Sequence, residues 1–294
     1  MWITDIVIRC IPDTVYLKFM YRKITGKKLN LYNPKTFNEK LQWLKLYDRK
    51  PEYTKMVDKY EVRQYIKETI GEEYLIPLVG GPWESFEDID FTKLPDQFVL
   101  KCTHDSGSVA ICKNKNEFDI ESVQKKFKRA LRANFFYGGR EWPYKNVKPR
   151  IIAEKYMADE SNNEPKDYKI FNFDGQPKVI QVDFDRFKNH RHNYYSTDWK
   201  FMNVYINDAN NPNVIIERPQ KLSELLNLAK RLSKDIPHIR TDFYLIENKI
   251  FFGELTFFHE SGFGRFTPKA FEEQMGKWIN LPVEKKMSQK RRIL

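Results

Sequence analysis

Residues 240–257, RTDFYLIENKIFFGELTF, decide the fold class. Two runs rich in aromatic and aliphatic residues, Thr241 to Ile246 and Ile250 to Phe257, flank the polar break Glu247-Asn248-Lys249. Such a pattern reads as an antiparallel hairpin. With its loop centred on Asn248, Asp242 faces Glu254 and Arg240 faces Thr256; a two-residue loop would shift that register. Carboxylates placed directly opposite repel each other, and the apolar neighbours Phe243, Leu245, Phe251, Phe252, Leu255 and Phe257 worsen the repulsion. A positive charge should lie beside them. Two sources fit: Mg2+, which takes oxygen ligands from one or two carboxylates plus substrate phosphates, or Arg240 in a structural salt bridge.

Further strands and helices extend outward from this hairpin. Lys169 to Phe173 and Lys178 to Phe184 flank Asp174-Gly175, a strong turn signal. Gln97 to Cys102 and Val109 to Cys112 read as strands around the small polar loop Thr103 to Ser108, and Ile151 to Met157 as another. Helices are expected over 36–48, where Thr36 and Glu39 match a capping box, over Asp58 to Glu68, over 119–133, and around Leu222, Leu225, Leu226, Ala229 and Leu232. Gly80-Gly81-Pro82 reads as a turn. The fold class is α+β, with antiparallel sheets and helices to one side.

The chain has 294 residues, of which 41% are hydrophobic, enough for one large domain or two joined lobes. Three cysteines at irregular spacing form neither a metal pattern nor a disulfide framework, which points to a reducing, cytoplasmic setting. The net charge of +11 admits anionic partners, but no nucleic-acid motif appears. Apolar residues from Trp2 to Met20, with Lys18, Arg22, Lys23, Lys27 and Lys28, form either a helix on the protein's own core or an amphipathic element at the membrane's inner face. Nothing in the sequence assigns an oligomeric state.

Lys101 ends an apolar strand, either as an edge residue reaching water or as a phosphate ligand; Gly107 in the following loop suits backbone N–H contacts to phosphate. The Gly-Lys-Ser/Thr ending of a P-loop is absent. Glu154 is either a solvent-facing strand residue or a ligand, and its surroundings favour neither. No Ser/His or Cys/His nucleophile constellation is present.

In combination, Thr36-Phe37-Asn38-Glu39-Lys40, Asp58-Lys59-Tyr60, Val99 to Gly107, Glu154-Lys155-Tyr156, Asp167-Tyr168-Lys169, Arg240 to Phe243 and Glu254-Leu255-Thr256 resemble the TupA-like branch of the ATP-grasp superfamily, over nearly the whole chain. The resemblance implies an ATP-grasp fold of two α+β lobes after an N-terminal helical region, 1–53. The ATP-grasp domain would span 54–294, with a small lobe over about 85–150 and a large lobe over about 151–275. It implies ATP and Mg2+ as cofactors. Lys59 and Lys101 would contact phosphates, with Ser106, Gly107 and Ser108 in a flap above them. Glu154 would bind the adenine amino group, Lys155, Tyr156 and Met157 would complete the hinge, and Lys169 would join the nucleotide contacts. Asp242 and Glu254 would ligate Mg2+, and Arg240 would steady developing charge. Thr256 stands where the superfamily usually has Asn, which puts a second metal position in question; Asp159 and Glu160 are both candidates for the ribose.

The implied activity is amide formation between a carboxylate and an amine through an acyl phosphate, in surface or capsular polysaccharide biosynthesis. The carboxylate would belong to an acidic sugar, glycan or peptide. Members of this branch are often labelled glycosyltransferases, and Asp183-Phe184-Asp185 is an acid pair of the kind that serves a nucleotide-sugar's metal. A third reading is a module binding acidic glycan or a lipid surface without chemistry. Arg186, with Lys188, His190, Arg191 and His192, is either a phosphate or substrate contact or part of a solvated loop; His259 and Arg265 are candidates for the acceptor side.

Overall fold

The computed structural model describes residues 9–157, 166–184 and 191–282. Asp159, Glu160, Asp185, Arg186, Lys188 and His190 lie outside the described residues, as do residues 1–8 and the basic run 285–292. Two compact units emerge: a large one from the described residues of 1–49 and 166–294, and a small one from those of 50–165. This departs from the expected division. The N-terminal helices are part of the large unit, and residues 151–155 belong to the small one, because they form a strand inside its sheet.

Helices α1 (Asp13–Thr25) and α2 (Phe37–Tyr47) open the large unit. Thr36 and Glu39 make the expected capping box: the Thr36 hydroxyl accepts from Glu39 N at 3.3 Å, and Glu39 accepts from Thr36 N at 3.2 Å.

The small unit follows. After α3 (Glu52–Val57), the helix expected from Asp58 starts later, as α4 (Val62–Thr69). The Asp58 carboxylate accepts from Tyr60 N at 2.8 Å and Glu61 N at 3.3 Å, and Lys59 N donates to Thr103 O, so the chain turns before the helix begins. Strands β1 (Leu78–Trp83), β2 (Phe98–Cys102), β3 (Val109–Cys112) and β4 (Ile151–Lys155) form an antiparallel sheet in the order β1-β4-β2-β3. Helix α5 (Ile120–Arg132) packs on one face of it, burying Phe127 against Phe98, Leu100, Cys102, Ile151 and Ala153. The opposite face carries Val99, Lys101, Ile152 and Glu154. Gly80-Gly81-Pro82 is a distorted stretch of edge strand rather than a turn, its register with β4 shifting twice. A Cβ on Gly81 would come within 2.8 Å of Ile151 O, and an edge strand tolerates the proline's missing donor.

The remainder of the large unit is a six-stranded antiparallel sheet, β11-β10-β5-β6-β7-β8, built from β5 (Asp167–Phe173), β6 (Gln176–Phe184), β7 (Arg191–Ser196), β8 (Phe201–Met202), β10 (His238–Ile246) and β11 (Lys249–Thr256). β9 (Tyr205–Ile206) pairs with β12 (Phe266–Thr267). Asp174 and Gly175, both at positive φ, close the β5–β6 hairpin as expected. Helix α6 (Leu222–Leu232) packs on β5, β6 and β10. Tyr168, Ile170 and Phe243 share one sheet face; Asp167, Lys169, Phe171, Phe173, His238, Arg240 and Asp242 share the other. α2 and α7 (Lys269–Trp278) cover the aromatic end of that second face, where Phe37 meets the His238 ring at 4.9 Å and Trp278 meets Phe173 at 5.2 Å.

His238 is buried there, its Nδ1 2.8 Å from Asn172 O. Burial holds its pKa down, to about 3. The unfolded chain therefore takes up this proton near 6.5, and the folded protein does not. The contribution to stability is complete above pH 6.5 and falls by about 1.4 kcal/mol per pH unit below it, until about pH 3. Urea unfolding at pH 7.5 and 5.5 should show His238→Gln losing about 1.4 kcal/mol less than the wild type over that interval.

Candidate active site

One face of the large sheet is polar along a single line across its strands. Glu254 pairs with Asp242, Asp242 with Lys169, Lys169 with Gln181, and Gln181 with Tyr194. A parallel line beside it holds Asp167, Asp183 and His192. The expected pairs Asp242/Glu254 and Arg240/Thr256 are present, but for a different reason. The loop has two residues, Glu247 and Asn248, both at positive φ, so Ile246 faces Lys249 and Phe243 faces Phe252. An irregularity between Asp242 and Phe243, accommodated at Gly253, shifts the register by one and brings Glu254 opposite Asp242.

Arg240 is the cation beside the acids. Its Nε and Nη2 donate to the two oxygens of Asp242 at 2.7 and 2.6 Å. Nη2 also meets Glu254 Oε1 and Thr256 Oγ1, both at 3.1 Å. Nη1 lies 2.7 Å from His259 Nδ1. Burial holds His259 well below its ordinary pKa, so it is neutral and accepts this bond. Burial pushes the Asp242 carboxyl upward against the pull of Arg240. Burial also lowers Arg240, but Asp242 and then Glu254 more than reverse that. These effects on one ion pair oppose each other, and the short bidentate contact favours the ionised form.

The salt bridge does not displace the metal reading. Each carboxylate oxygen has two lone pairs, so an Arg-bound acid can still accept a cation. Glu254, with 40% of its side chain exposed against 3% for Asp242, is the accessible member. Two carboxylates and a hydroxyl are hard oxygen donors suited to Mg2+ completed by phosphate oxygens and water. Among the described residues no group of three or more His, Cys, Asp or Glu side chains is arranged to hold a metal, which argues against a closed all-protein cage at this position.

Lys169 is held between two acids, Asp183, which it contacts closely, and Asp167, at 3.5 Å. Burial lowers the Lys169 pKa, but Asp167, Asp242 and Asp183 outweigh that and the net shift is upward. Gln181 Nε2 donates to the other Asp183 oxygen at 2.7 Å. Asp183 is thus buried and engaged by Lys169 and Gln181, and the second acid of the nucleotide-sugar metal reading, Asp185, lies outside the described residues.

On the small unit's open face, Lys101 Nζ donates to Glu154 Oε2 at 2.6 Å, and Arg63 lies 3.7 Å from Glu154 Oε1. The loop after Lys101 is anchored at its root and exposed at its tip. Thr103 and His104 are buried, with Thr103 N bonded to Arg150 O and His104 Nε2 3.0 Å from Ala130 O. Ser106 and Gly107 are exposed, and Ser108 Oγ donates to Asp105. Lys59 Nζ donates to Asp105 O, so Lys59 grips the loop itself. Strand alternation points Lys155 away from Glu154. Lys155 and Tyr156 border a cleft of about 800 Å3, and Met157 follows in coil.

The model of the TupA-like ATP-grasp family matches residues 39–280. The chain belongs to that family. Its fold is accordingly the α+β ATP-grasp fold. Among solved structures, D-alanine–D-alanine ligase from Bacillus anthracis in complex with ATP is similar at 15% identity, covering 81% of this chain and 68% of that one, with a TM-score of 0.46. The Helicobacter pylori D-alanine–D-alanine ligase is similar at 14% identity, covering 84% and 70%, with a TM-score of 0.42. The N5-carboxyaminoimidazole synthetase from Staphylococcus aureus is similar at 14% identity, covering 78% and 53%, with a TM-score of 0.40. No curated protein gives a significant match.

The sequence reading placed Asp167 in a family segment without a role, passed over Gln181, and did not foresee the bond between Arg240 and His259. A signal existed for the first two. Asp167-x-Lys169 and Gln181-x-Asp183 put polar groups two apart on the facing strands of one hairpin, hence on one face.

Proposed function

We propose that this ATP-grasp protein is an ATP- and Mg2+-dependent carboxylate–amine ligase acting on acidic polysaccharide or its peptide decoration. The observation that carries the reading is the Asp242–Glu254 pair, opposed on one sheet face and bound by a buried arginine. Bound Mg2+ would neutralise phosphate charge and hold the γ-phosphoryl group for attack. Asp242 and Glu254 would hold the ion, with Thr256 beside them. Glu154 would accept from the adenine amino group, with the Lys155 to Met157 backbone as hinge. Lys101 would take the α- and β-phosphates, and Lys59 and the Ser106–Ser108 tip would close over them. Lys169 would bring a fixed positive charge to the nucleotide.

The substrate carboxylate oxygen would attack the γ-phosphorus, and ADP would leave. An amine would then attack the acyl carbon, release phosphate and lose its proton to give the amide. Arg240 would steady the charge that develops. These roles are positioning and electrostatics, which agrees with the lack of a nucleophile constellation.

The test is ADP release with Mg·ATP against a panel of uronic-acid glycans paired with amino acids. Stimulated release is expected for at least one pair; no release with any pair, together with no Mg·ATP-dependent rise in melting temperature, would sink the reading. Lys101→Met should weaken Mg·ATP at least tenfold by calorimetry, the equivalent of about 1.4 kcal/mol.

Among the described residues no helix is long and apolar enough to cross a membrane. We propose peripheral contact with an anionic lipid surface through α1. Val15 and Phe19, 56% and 64% exposed, share one exposed face with Lys18, Arg22 and Lys23, and no acid interrupts it. Cosedimentation should occur with phosphatidylglycerol-containing vesicles, not with pure phosphatidylcholine, and weaken in Phe19→Ser. Equal sedimentation with both vesicles, or none with either, sinks it.

A further inference from the structure

Helix α2 buries a polar stripe as well as an apolar one. Asn38, Gln42 and Lys45 recur at i, i+4 and i+7, and all three are buried. Their donors converge on one loop. Asn38 Nδ2 donates to Gly264 O at 2.8 Å. Gln42 Nε2 donates to Ser261 O at 3.0 Å and Gly262 O at 2.7 Å. Lys45 Nζ donates to Ser261 O at 2.7 Å and lies over the rings of Phe263 and Phe258, at 4.9 and 5.7 Å.

That loop adopts an unfavourable conformation. Glu260, Ser261 and Gly262 are left-handed in succession, at φ 50, 49 and 63. For the two residues with side chains this costs roughly 1–2 kcal/mol each, so the surroundings must impose it. The glycine is required on a second count: a Cβ on Gly262 would come 2.6 Å from Gln42 Nε2 and 3.0 Å from Leu41 Cβ. His259, the first residue of the loop, is the group that holds Arg240 Nη1.

We propose that Asn38, Gln42 and Lys45 are positioning residues for the active site. Through the Ser261, Gly262 and Gly264 carbonyls they set the loop; through His259 the loop orients Arg240 against Asp242 and Glu254. The inference rests on the ligase reading for its catalytic consequence. Its physical basis is the burial of an ammonium and two amides where apolar residues would pack a helix on a loop at less expense. The donors are accounted for by the backbone they hold in place.

The test compares Lys45→Met and Gln42→Met with Lys40→Met. Lys40 also donates from α2 to a carbonyl, Ile279 O at 2.7 Å, but outside the loop. ADP release from Mg·ATP with the glycan and amino-acid panel should fall at least tenfold in the first two, with Mg·ATP affinity within twofold of wild type. Lys40→Met should lower the melting temperature and leave turnover unchanged. The His259 ring nitrogen resonances should move in Lys45→Met and Gln42→Met alone. If Lys45→Met does not fold, Gly262→Ala wedges the same contact from the loop side and should move the same resonances. Equal loss of turnover in Lys40→Met, or unmoved His259 resonances, overturns the proposal. A wild type with no turnover sinks the ligase reading instead, and the resonances still decide whether the stripe orients the loop.

Discussion

Glu254→Gln should abolish Mg·ATP turnover and leave the fold intact, whereas Asp242→Asn should damage both. The two acids face each other on adjacent strands but differ in what they hold. Asp242 is buried and takes two short bonds from Arg240. Neutralising it leaves a buried guanidinium without its main partner, at a cost of about 3–5 kcal/mol. Glu254 is two-fifths exposed and meets Arg240 through one 3.1 Å contact, so its neutralisation should cost less than about 1 kcal/mol. As proposed ligands of the same ion, both should lose turnover by on the order of a thousandfold, the scale of removing a pre-organised charge from a transition state. Thermal melts and ADP release separate the two effects. Glu254→Gln with wild-type turnover would contradict the metal assignment.

Arg240→Met should damage both the large unit's stability and turnover. It strands Asp242, removes one donor from Glu254 and one from Thr256, and releases His259 Nδ1. Stability should fall by about 3–5 kcal/mol, because one charge of a buried pair is left alone. Turnover should fall a hundredfold or more, since the group proposed to meet developing charge is gone. Arg240→Met with Asp242→Leu should recover most of the stability, because an apolar pair can replace a buried ion pair, and none of the turnover. Urea unfolding of the two singles and the double gives the coupling. A double variant no more stable than Arg240→Met would mean that Arg240 is held by the wider network and not mainly by Asp242.

The alternation of the strands and the Thr36 and Asp174-Gly175 signals were legible because each is a local rule expressed in adjacent residues. The facing of Asp242 and Glu254 was reached through two departures that cancel: a loop one residue shorter than assumed and an extra residue at 253. Period two would put Phe252 and Glu254 on one side of β11, yet Phe252 pairs with Phe243 and Glu254 with Asp242, on opposite faces. A bulge is a tertiary compromise with no residue pattern of its own here. The helix at 36–48 was legible, but its polar stripe was not, because Asn, Gln and Lys at helical spacing ordinarily face water. Their acceptors lie more than two hundred residues away. The unit boundaries escaped for the same reason: residues 9–49 find their partners only after the whole small unit has intervened.

That interleaving has a consequence for synthesis. Asn38 and the carbonyl it binds are 226 residues apart. At ribosomal rates of about 5–20 residues per second, roughly 10–45 s pass between the emergence of one and the other. Throughout that interval Phe37, Leu41, Trp43 and Leu44, all buried in the finished protein, have no completed sheet to cover. The small unit, whose residues are contiguous, can fold in the meantime. Helices α1 and α2 therefore emerge ahead of the sheet they cover, as an apolar, basic segment of the kind that holding chaperones capture.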